Sequence, residues 1–264
     1  NLFFTIAMQN KITTKRESNY QYHAADGISS SGLKKIYSRS VWHYLNQSPF
    51  SSAAMQLGSA IHTAILEPKQ FYDEYVVMQK FDGRTTEGKK LKAEYEANAE
   101  GKTTLTADEF AIVEGVLHNY NRNEKALYYT RGEIELSHYL NFNGVDVKVR
   151  PDCINKVAGF ISDPKTCQDN SPKAFIRDVY KYNYHLQAAF YSDMLGIDPS
   201  NFVFIAIETR APYSVECYVL ADEHIERGRA AYLKALADWQ FYLDTGVALG
   251  YDGYDRNDDG LIIL

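Results

Sequence analysis

The segment from Val145 to Gln168, VDVKVRPDCINKVAGFISDPKTCQ, constrains the fold of this chain more than any other stretch. Its first half alternates apolar and polar side chains, which is the period of a half-buried strand, and an extended pattern resumes at Phe160 after turn-forming residues. Asp152 stands at the end of the first predicted strand. A hairpin centred near Val157 would therefore bring Asp152 almost opposite Asp163.

Asp163 and Lys165 lie two residues apart on the second predicted strand, so their side chains project from the same face. The carboxylates of Asp152 and Asp163 repel each other unless a cation lies between them, and hard oxygen ligands of this kind suit Mg²⁺ or Mn²⁺. A single Asp or Lys in a strand is most often simply solvated. The pattern therefore gains weight only in combination with other parts of the sequence.

Composition and charge narrow the classes of protein to which this chain can belong. The chain has 264 residues and an ordinary globular composition, enough for one large domain or two small ones. A formal net charge of −6 argues against a uniformly basic surface, but it allows a nucleic-acid enzyme whose positive charge is confined to a channel. The three cysteines predict neither a disulfide framework nor a zinc site, and no apolar run has the length of a membrane span. We expect a cytoplasmic protein without a membrane association.

The order of predicted elements is helix, helix, three strands, helix, two strands, helix. This order indicates an α/β domain in which a central mixed β-sheet is flanked by helices. We expect residues 1–27 to form a polar, extended N-terminal arm, residues 28–245 to form the domain, and residues 246–264 to form an acidic C-terminal tail.

The tail contains the first half of an EF-hand calcium loop. The matching positions are Asp255, Asn257, Asp259 and Gly260. The sequence stops at Leu264, before the glutamate that would supply the bidentate ligand. We interpret residues 255–260 as an acidic turn, with weak Ca²⁺ binding as the alternative.

A run of serines precedes the first strong helical pattern, GLKKIYSRSVWHYLN; the run is Ser29, Ser30 and Ser31. A serine-rich helix start presents free N–H groups and hydroxyls that suit an anion, although the serines could equally serve only as a helix cap. Basic side chains follow on the same helix as a candidate phosphate-contacting face, with an ordinary solvated face as the alternative. They are Lys34, Lys35 and Arg39.

Two further predicted helices carry polar residues of interest. Residues 54–68 form a helical pattern ended by Pro68, in which Gly58 and His62 stand at i and i+4, and Gly58 permits close approach of another backbone or a ligand. A helical region from Ser171 to about Leu195 places three polar residues on one face, namely Tyr184, Gln187 and Tyr191. In the strand before the hairpin, Glu135 is expected to face the same cleft as Asp152.

The combination of GSAIHTAILEP, RPDCINKVAGFISDPKT and HLQAAFY resembles the RecB-like branch of the PD-(D/E)XK nuclease superfamily. With ISSSGLKKI ahead of it, the Gly-x-x-x-His-x-x-x-Leu-Glu-Pro form is most similar to RecE-type exonucleases, over about residues 19–243. The resemblance implies the PD-(D/E)XK nuclease fold for residues 28–245.

The resemblance also implies roles for individual residues. Its metal-coordinating positions are matched by His62, Asp152 and Asp163. Its other catalytic positions are matched by Lys165, Gln187, Tyr191 and Glu135. The residue between the signature acid and lysine, which offers its backbone carbonyl to the metal, is Pro164 here. Proline keeps that carbonyl but lacks an N–H, so it belongs at a strand edge or an irregular turn.

The activity implied is that of a Mg²⁺-dependent exonuclease with two ions per site, for which Mn²⁺ can substitute. Such an enzyme degrades the 5′-ended strand of double-stranded DNA and leaves 3′ overhangs for recombination and repair by strand annealing. The RecE-type resemblance further implies a ring-shaped homotetramer that threads DNA ends, and a single-strand annealing partner of the RecT type.

Two alternatives stay open at this point. One is a PD-(D/E)XK endonuclease of the restriction or repair kind. The other is a catalytically inactive DNA-binding or Ca²⁺-binding module, which Pro164 and the acidic tail would favour.

Overall fold

The structure is a computed structural model that describes residues 11–251 together with residues 257, 261 and 262. The strands are β1 (Thr13–Lys15), β2 (Tyr75–Val77), β3 (Thr103–Leu105), β4 (Glu133–Ile134), β5 (Ser137–Phe142), β6 (Val145–Val149), β7 (Cys153–Asn155), β8 (Phe160–Cys167), β9 (Phe202–Glu208) and β10 (Val215–Tyr218). The α-helices are α1 (Asn19–Ala24), α2 (Ser30–Ser38), α3 (Val41–Leu45), α4 (Ala53–Leu66), α5 (Pro68–Glu74), α6 (Thr86–Ala99), α7 (Ala107–Tyr120), α8 (Glu124–Tyr129), α9 (Pro172–Lys181), α10 (Tyr184–Leu195) and α11 (Asp222–Thr245).

The largest sheet has five strands in the order β10-β9-β8-β7-β4. Strands β8 and β9 are parallel, whereas the other neighbours in this sheet are antiparallel. A second, antiparallel sheet has the order β1-β5-β6, and β2 and β3 form a small parallel pair. The predicted α/β class with a mixed central sheet and flanking helices is confirmed.

Strand β9 lies at the centre of the molecule and carries apolar side chains on both faces. Phe202, Phe204 and Ala206 pack into a core with residues of α10 and α11, while Ile205 and Ile207 pack on the opposite face with residues of α4 and α7. Burial on both faces explains why this strand is a continuous apolar run instead of an alternating one. Helices consequently cover both faces of the five-stranded sheet.

The strand predicted from Glu133 and the first strand of the predicted hairpin are both interrupted at a shared bend. Their outer pieces, β4 and β7, belong to the five-stranded sheet, and β5 and β6 belong to the three-stranded sheet. The prediction of a continuous strand is wrong at Glu135, whose φ of +51° lies in the left-handed region. The Glu135 N–H donates to the carbonyl of Asp152 at 3.2 Å, and Arg150 Nε donates to the carbonyl of Glu135 at 3.0 Å. The alternating pattern runs through the bend unchanged, so it gives no sign of the interruption.

Within the predicted extended arm, residues 13–15 are extended as strand β1, whereas residues 19–24 form helix α1 instead. Strand β1 pairs with β5, and Lys148, only 5% exposed, fixes the end of α1. The Lys148 ammonium group donates to the carbonyl oxygens of Tyr22 (2.9 Å) and His23 (3.3 Å) and to that of Ala25. A cation at a helix C-terminus satisfies carbonyls that have no partner within the helix.

The helical region predicted from Ser171 to Leu195 is two helices, α9 and α10. Asn183 separates them with a φ of +52°, a conformation that Asn tolerates better than most residues. Beyond the break, Tyr184 begins α10, and its ring lies 5.2 Å from the ammonium group of Lys165 on β8.

At the C-terminal end, the predicted acidic turn at residues 255–260 lies outside the described residues except for Asn257. Within the described part of the chain, no helix is both long enough and apolar enough to cross a bilayer.

Helices α10 and α11 cross so closely that a Cβ atom at Gly228 would lie 2.1 Å from the carbonyl oxygen of His185. We expect Gly228→Ala to lower the free energy of unfolding by about 3 kcal/mol, because the clash is with backbone that can yield only by moving a buried helix. Gly83→Ala is the matched control, since a Cβ atom added at Gly83 would meet nothing within 4 Å; a change of about 0.5 kcal/mol or less is expected there. Urea unfolding midpoints of the two variants test this, and equal midpoints would contradict it.

Candidate active site

A cleft of about 940 Å³ opens above the bend of the hairpin. Its walls come from α4, from the bend itself, from β8, from the start of α10 and from the segment that leads into α1. It is lined by four of the acidic and basic residues predicted for the site, His62, Glu135, Asp152 and Lys165, and by Pro164.

The two aspartates predicted to converge do so. Cys153 pairs with Ser162 in the antiparallel β7–β8 ladder, which puts Asp152 beside Asp163 at the next position. Strand β7 pairs with β8 only as far as Ser162, so Pro164 lies in the part of β8 that β7 no longer flanks. A missing N–H is tolerated there, as expected for proline at a strand edge.

Asp163 is 1% exposed, and its carboxylate forms an ion pair with Lys165. Burial and the nearby Asp152 raise the pKa of Asp163 to about 7, in spite of the opposing effect of Lys165. Burial lowers the pKa of Lys165, but the two aspartates raise it by more, so this lysine stays charged. Its ammonium group also lies 5.2 Å from the centre of the Tyr184 ring, a cation–π contact.

Helix α4 brings His62 to the aspartates by packing tightly against β8. A Cβ atom at Gly58 would lie 3.1 Å from the Thr166 hydroxyl, so glycine allows this close approach, as the sequence suggested. His62 Nε2 lies 3.0 Å from Asp152 Oδ2 and 3.8 Å from Glu135 Oε1. Burial lowers the pKa of His62, but the two carboxylates outweigh burial and raise the pKa to about 9.

His62, Glu135 and Asp152 each offer a ligand atom, and these atoms lie within 4.8 Å of one another. Burial and Asp152 raise the pKa of Glu135 to about 7. Burial also tends to raise the pKa of Asp152, but His62 and Lys165 hold it well below its usual range. One imidazole and several carboxylates that repel each other form a donor set suited to a hard divalent cation such as Mg²⁺ or Mn²⁺.

Gln187 holds Asp163 from the other side. Its Nε2 donates to Asp163, and its Oε1 accepts a hydrogen bond of 2.6 Å from the Lys34 ammonium group. A charged Lys34 can only donate and an ionised Asp163 can only accept, so in these protonation states the amide of Gln187 has a single orientation. Burial and Lys165 lower the pKa of Lys34 to about 7, although the two aspartates oppose this. Lys34, predicted to contact phosphate, thus lies in the site and binds Gln187.

Tyr191 lies one helical turn beyond Gln187 and is buried. Its hydroxyl accepts a hydrogen bond of 3.2 Å from Ser30, which is itself buried. Helix α2 therefore supports α10 at two points, through Ser30 and through Lys34.

The remaining residues of the predicted phosphate-binding face do not meet at one point. The hydroxyls of Ser29 and Ser31 lie 2.9 Å apart at the start of α2, and Ser31 is exposed. Lys35 is half-buried on the same helix. Arg39 lies at the far end of α2, where its Nη1 is 3.4 Å from the Tyr251 hydroxyl.

Sequence reasoning missed Arg150 as a member of the site. Its Nε lies 2.7 Å from Glu135 Oε2, and its guanidinium group lies over the ring of Tyr22. The signal was present, because Arg150 is a charged residue next to the proline-aspartate pair that ends the first strand. The segment 16–20 was also missed, because residues 1–27 were predicted to be an arm; it forms one wall of the cleft.

Comparison with known proteins identifies the family and the fold. The family described as PDDEXK-like domain of unknown function (DUF3799) matches residues 29–245. The crystal structure of a candidate exonuclease from Eubacterium rectale, at 2.19 Å resolution, is similar with a TM-score of 0.60 and 13% sequence identity, over 91% of this chain and 92% of that one. No curated protein matches the sequence. At 13% identity the structural similarity shows the fold alone. The chain has the PD-(D/E)XK nuclease fold and belongs to the family of PDDEXK-like domains that its residues 29–245 match.

Proposed function

We propose that the protein is a divalent-metal-dependent exonuclease that hydrolyses the 5′-ended strand of double-stranded DNA. The observation that supports this most strongly is the meeting of Asp152, Asp163, Lys165, Glu135 and His62 in one cleft. Ordinary packing rarely buries carboxylates beside each other, because each raises the cost of ionising the next. A divalent cation bound between the carboxylates would offset their repulsion.

The metal would be held by His62, Asp152, Asp163 and Glu135, with the backbone carbonyl of Pro164 as a further ligand from the wall of the cleft. Two bound Mg²⁺ ions, or Mn²⁺ in their place, would supply an activated water and stabilise the leaving oxygen.

The side chains of this chain then have separate tasks. Lys165, held by Asp163 and the Tyr184 ring, orients the attacking water and stabilises the negative charge that develops on the phosphate. Gln187 and Lys34 fix the carboxylate of Asp163 in one orientation, and Tyr191 anchors α10 to α2. Lys165, which stays charged, also places positive charge in the cleft of a protein whose net charge is −6.

Polarity requires recognition of the 5′ end, for which we propose the start of α2. The residues predicted for this role are Ser29, Ser30, Ser31, Lys34, Lys35 and Arg39. Of the three serines, the exposed Ser31 is the most suitable phosphate contact, because Ser29 caps α2 by accepting from the Gly32 N–H and Ser30 is occupied with Tyr191. Lys34 is engaged with Gln187 and Arg39 lies at the far end of α2, so Lys35 is the more suitable of the basic residues.

The RecE-type resemblance extends the proposal beyond the cleft. It includes a ring-shaped homotetramer, a role in recombination and repair with a RecT-type annealing partner, and a cytoplasmic location. A sedimentation measurement of mass tests the tetramer independently of activity.

Asp163→Asn and Lys165→Ala are each expected to reduce Mg²⁺-dependent digestion of linear duplex DNA by about 10²-fold or more, since one loses a metal ligand and the other the charge that stabilises the phosphate. Lys90→Ala is the control, because Lys90 is exposed on α6, where it pairs with Glu94. Circular dichroism confirms that each variant is folded. Digestion at the wild-type rate by either catalytic variant would remove the assignment of this cleft as the active site.

Mg²⁺ or Mn²⁺ is expected to raise the melting temperature of the wild-type protein. An ion at one hundred times its dissociation constant stabilises the folded state by about 2.7 kcal/mol. Asp152→Asn should lose most of this shift relative to its own metal-free form, whereas Glu94→Gln, which removes a carboxylate from exposed α6, should keep it. Differential scanning calorimetry makes the comparison, and an equal shift in both variants would place the ion elsewhere.

Linear duplex DNA labelled at its 5′ ends should lose label early, while a 3′-end label should survive longer. The same preparation should leave closed circular DNA intact, because an exonuclease needs an end. The opposite order of label loss would refute the proposed polarity. Cutting of circular DNA would favour the endonuclease alternative.

A further inference from the structure

One wall of the cleft is formed by residues 16–20, which lie outside the family match at residues 29–245. Tyr20 stands out in this segment, because it lines the cleft and yet 83% of it is exposed to solvent. Its neighbours across the cleft are mainly charged or polar side chains of the candidate active site. Because this aromatic ring is exposed to water, it contributes little to the packing of the protein itself.

The support beneath Tyr20 is rigid. Helix α1 begins with a capping box, in which Ser18 accepts from the Gln21 N–H and the Gln21 side chain accepts from the Ser18 N–H. Tyr22, on the opposite side of the helix, is 5% exposed and donates to the carbonyl of Lys148. The Lys148 ammonium group closes the other end of the helix. The Tyr20 backbone is therefore fixed before any ligand arrives.

We infer that Tyr20 is a stacking site for an unpaired nucleobase of the DNA strand that enters the cleft. This inference rests on the proposed nuclease function. The strand has to enter the cleft for its phosphodiester to approach Asp152 and Lys165, and Tyr20 lines the same cleft. Once the strand has separated, its bases expose π faces, and an exposed tyrosine ring binds any of them without sequence preference.

Arg16 lies on the same wall and is exposed, which gives a neighbouring phosphate a cation to contact. An aromatic ring with a nearby cation is the combination that proteins use to hold single strands without reading their sequence.

The experiment measures binding and needs no catalysis. The probe is a fluorescent duplex with three unpaired nucleotides at one 5′ end, titrated with protein by anisotropy with Ca²⁺ in place of Mg²⁺. Tyr20→Ala is compared with Tyr20→Trp, which keeps a stacking ring. The matched control is Tyr72→Ala, because Tyr72 is 69% exposed and lies outside the cleft lining. An abasic nucleotide then replaces each unpaired position in turn.

Tyr20→Ala should weaken binding of the intact probe by about 5- to 100-fold, while Tyr20→Trp and Tyr72→Ala should bind as the wild type does. At one of the three positions, the abasic nucleotide should weaken binding to the wild-type protein by a similar factor. The same nucleotide should hardly change binding to Tyr20→Ala, because the substitution and the missing base remove the same contact. The inference would be overturned if Tyr20→Ala bound the probe with wild-type affinity. It would also be overturned if, at every position, the loss of affinity from the abasic nucleotide multiplied with the loss from Tyr20→Ala.

Failure of this inference and failure of the proposed function give different results. A protein that digests linear DNA in Mg²⁺, but whose Tyr20→Ala variant binds normally, refutes only the stacking site. A protein that shows the Tyr20-dependent pattern of binding, but hydrolyses nothing with Mg²⁺ or Mn²⁺, refutes only the nuclease function.

Discussion

The burial of like charges beside each other is the constraint on which the rest of the site depends. Asp163 is almost completely enclosed, and Asp152 and Glu135 lie within interaction distance in the same cleft. Each carboxylate is balanced by one cationic neighbour: Lys165 for Asp163, His62 for Asp152 and Arg150 for Glu135. Removing one partner from such a set leaves a buried charge without compensation, which is more costly than losing an exposed ion pair. The burial of these charges is therefore better explained by a role in binding a ligand than by a contribution to the stability of the fold.

The fold supplies the strain and the support that this arrangement needs. The bend at Glu135 holds a non-glycine residue in the left-handed region, and such backbone persists where surrounding contacts determine it fully. Here the contacts are hydrogen bonds to Arg150 and Asp152 across the bend. By dividing one long hairpin between two sheets, the bend opens a cleft at the point where the carboxylates converge. Continuous strands would have closed that space.

The helices around the sheet act as rigid supports for single side chains. Gly58 lets α4 approach β8 closely enough for His62 to reach Asp152. The break at Asn183 starts α10 so that Tyr184 and Gln187 lie over Lys165 and Asp163. The structural similarity to the candidate exonuclease at 13% identity shows that the fold is shared despite extensive difference in sequence.

The amino-acid sequence by itself determined the fold class and the hairpin register that places Asp152 beside Asp163. These features follow from local periods and from the backbone chemistry of single residues, which need no knowledge of distant contacts. Only the tertiary structure decided that Lys34 binds Gln187, that Arg150 belongs to the site, and that residues 13–24 form a strand and a helix beside the cleft. The Gln187 partner of Lys34 lies 153 positions away, and β1 pairs with β5 across more than a hundred residues. Contacts of this kind leave no periodic trace in a sequence, because they depend on where packing places whole elements.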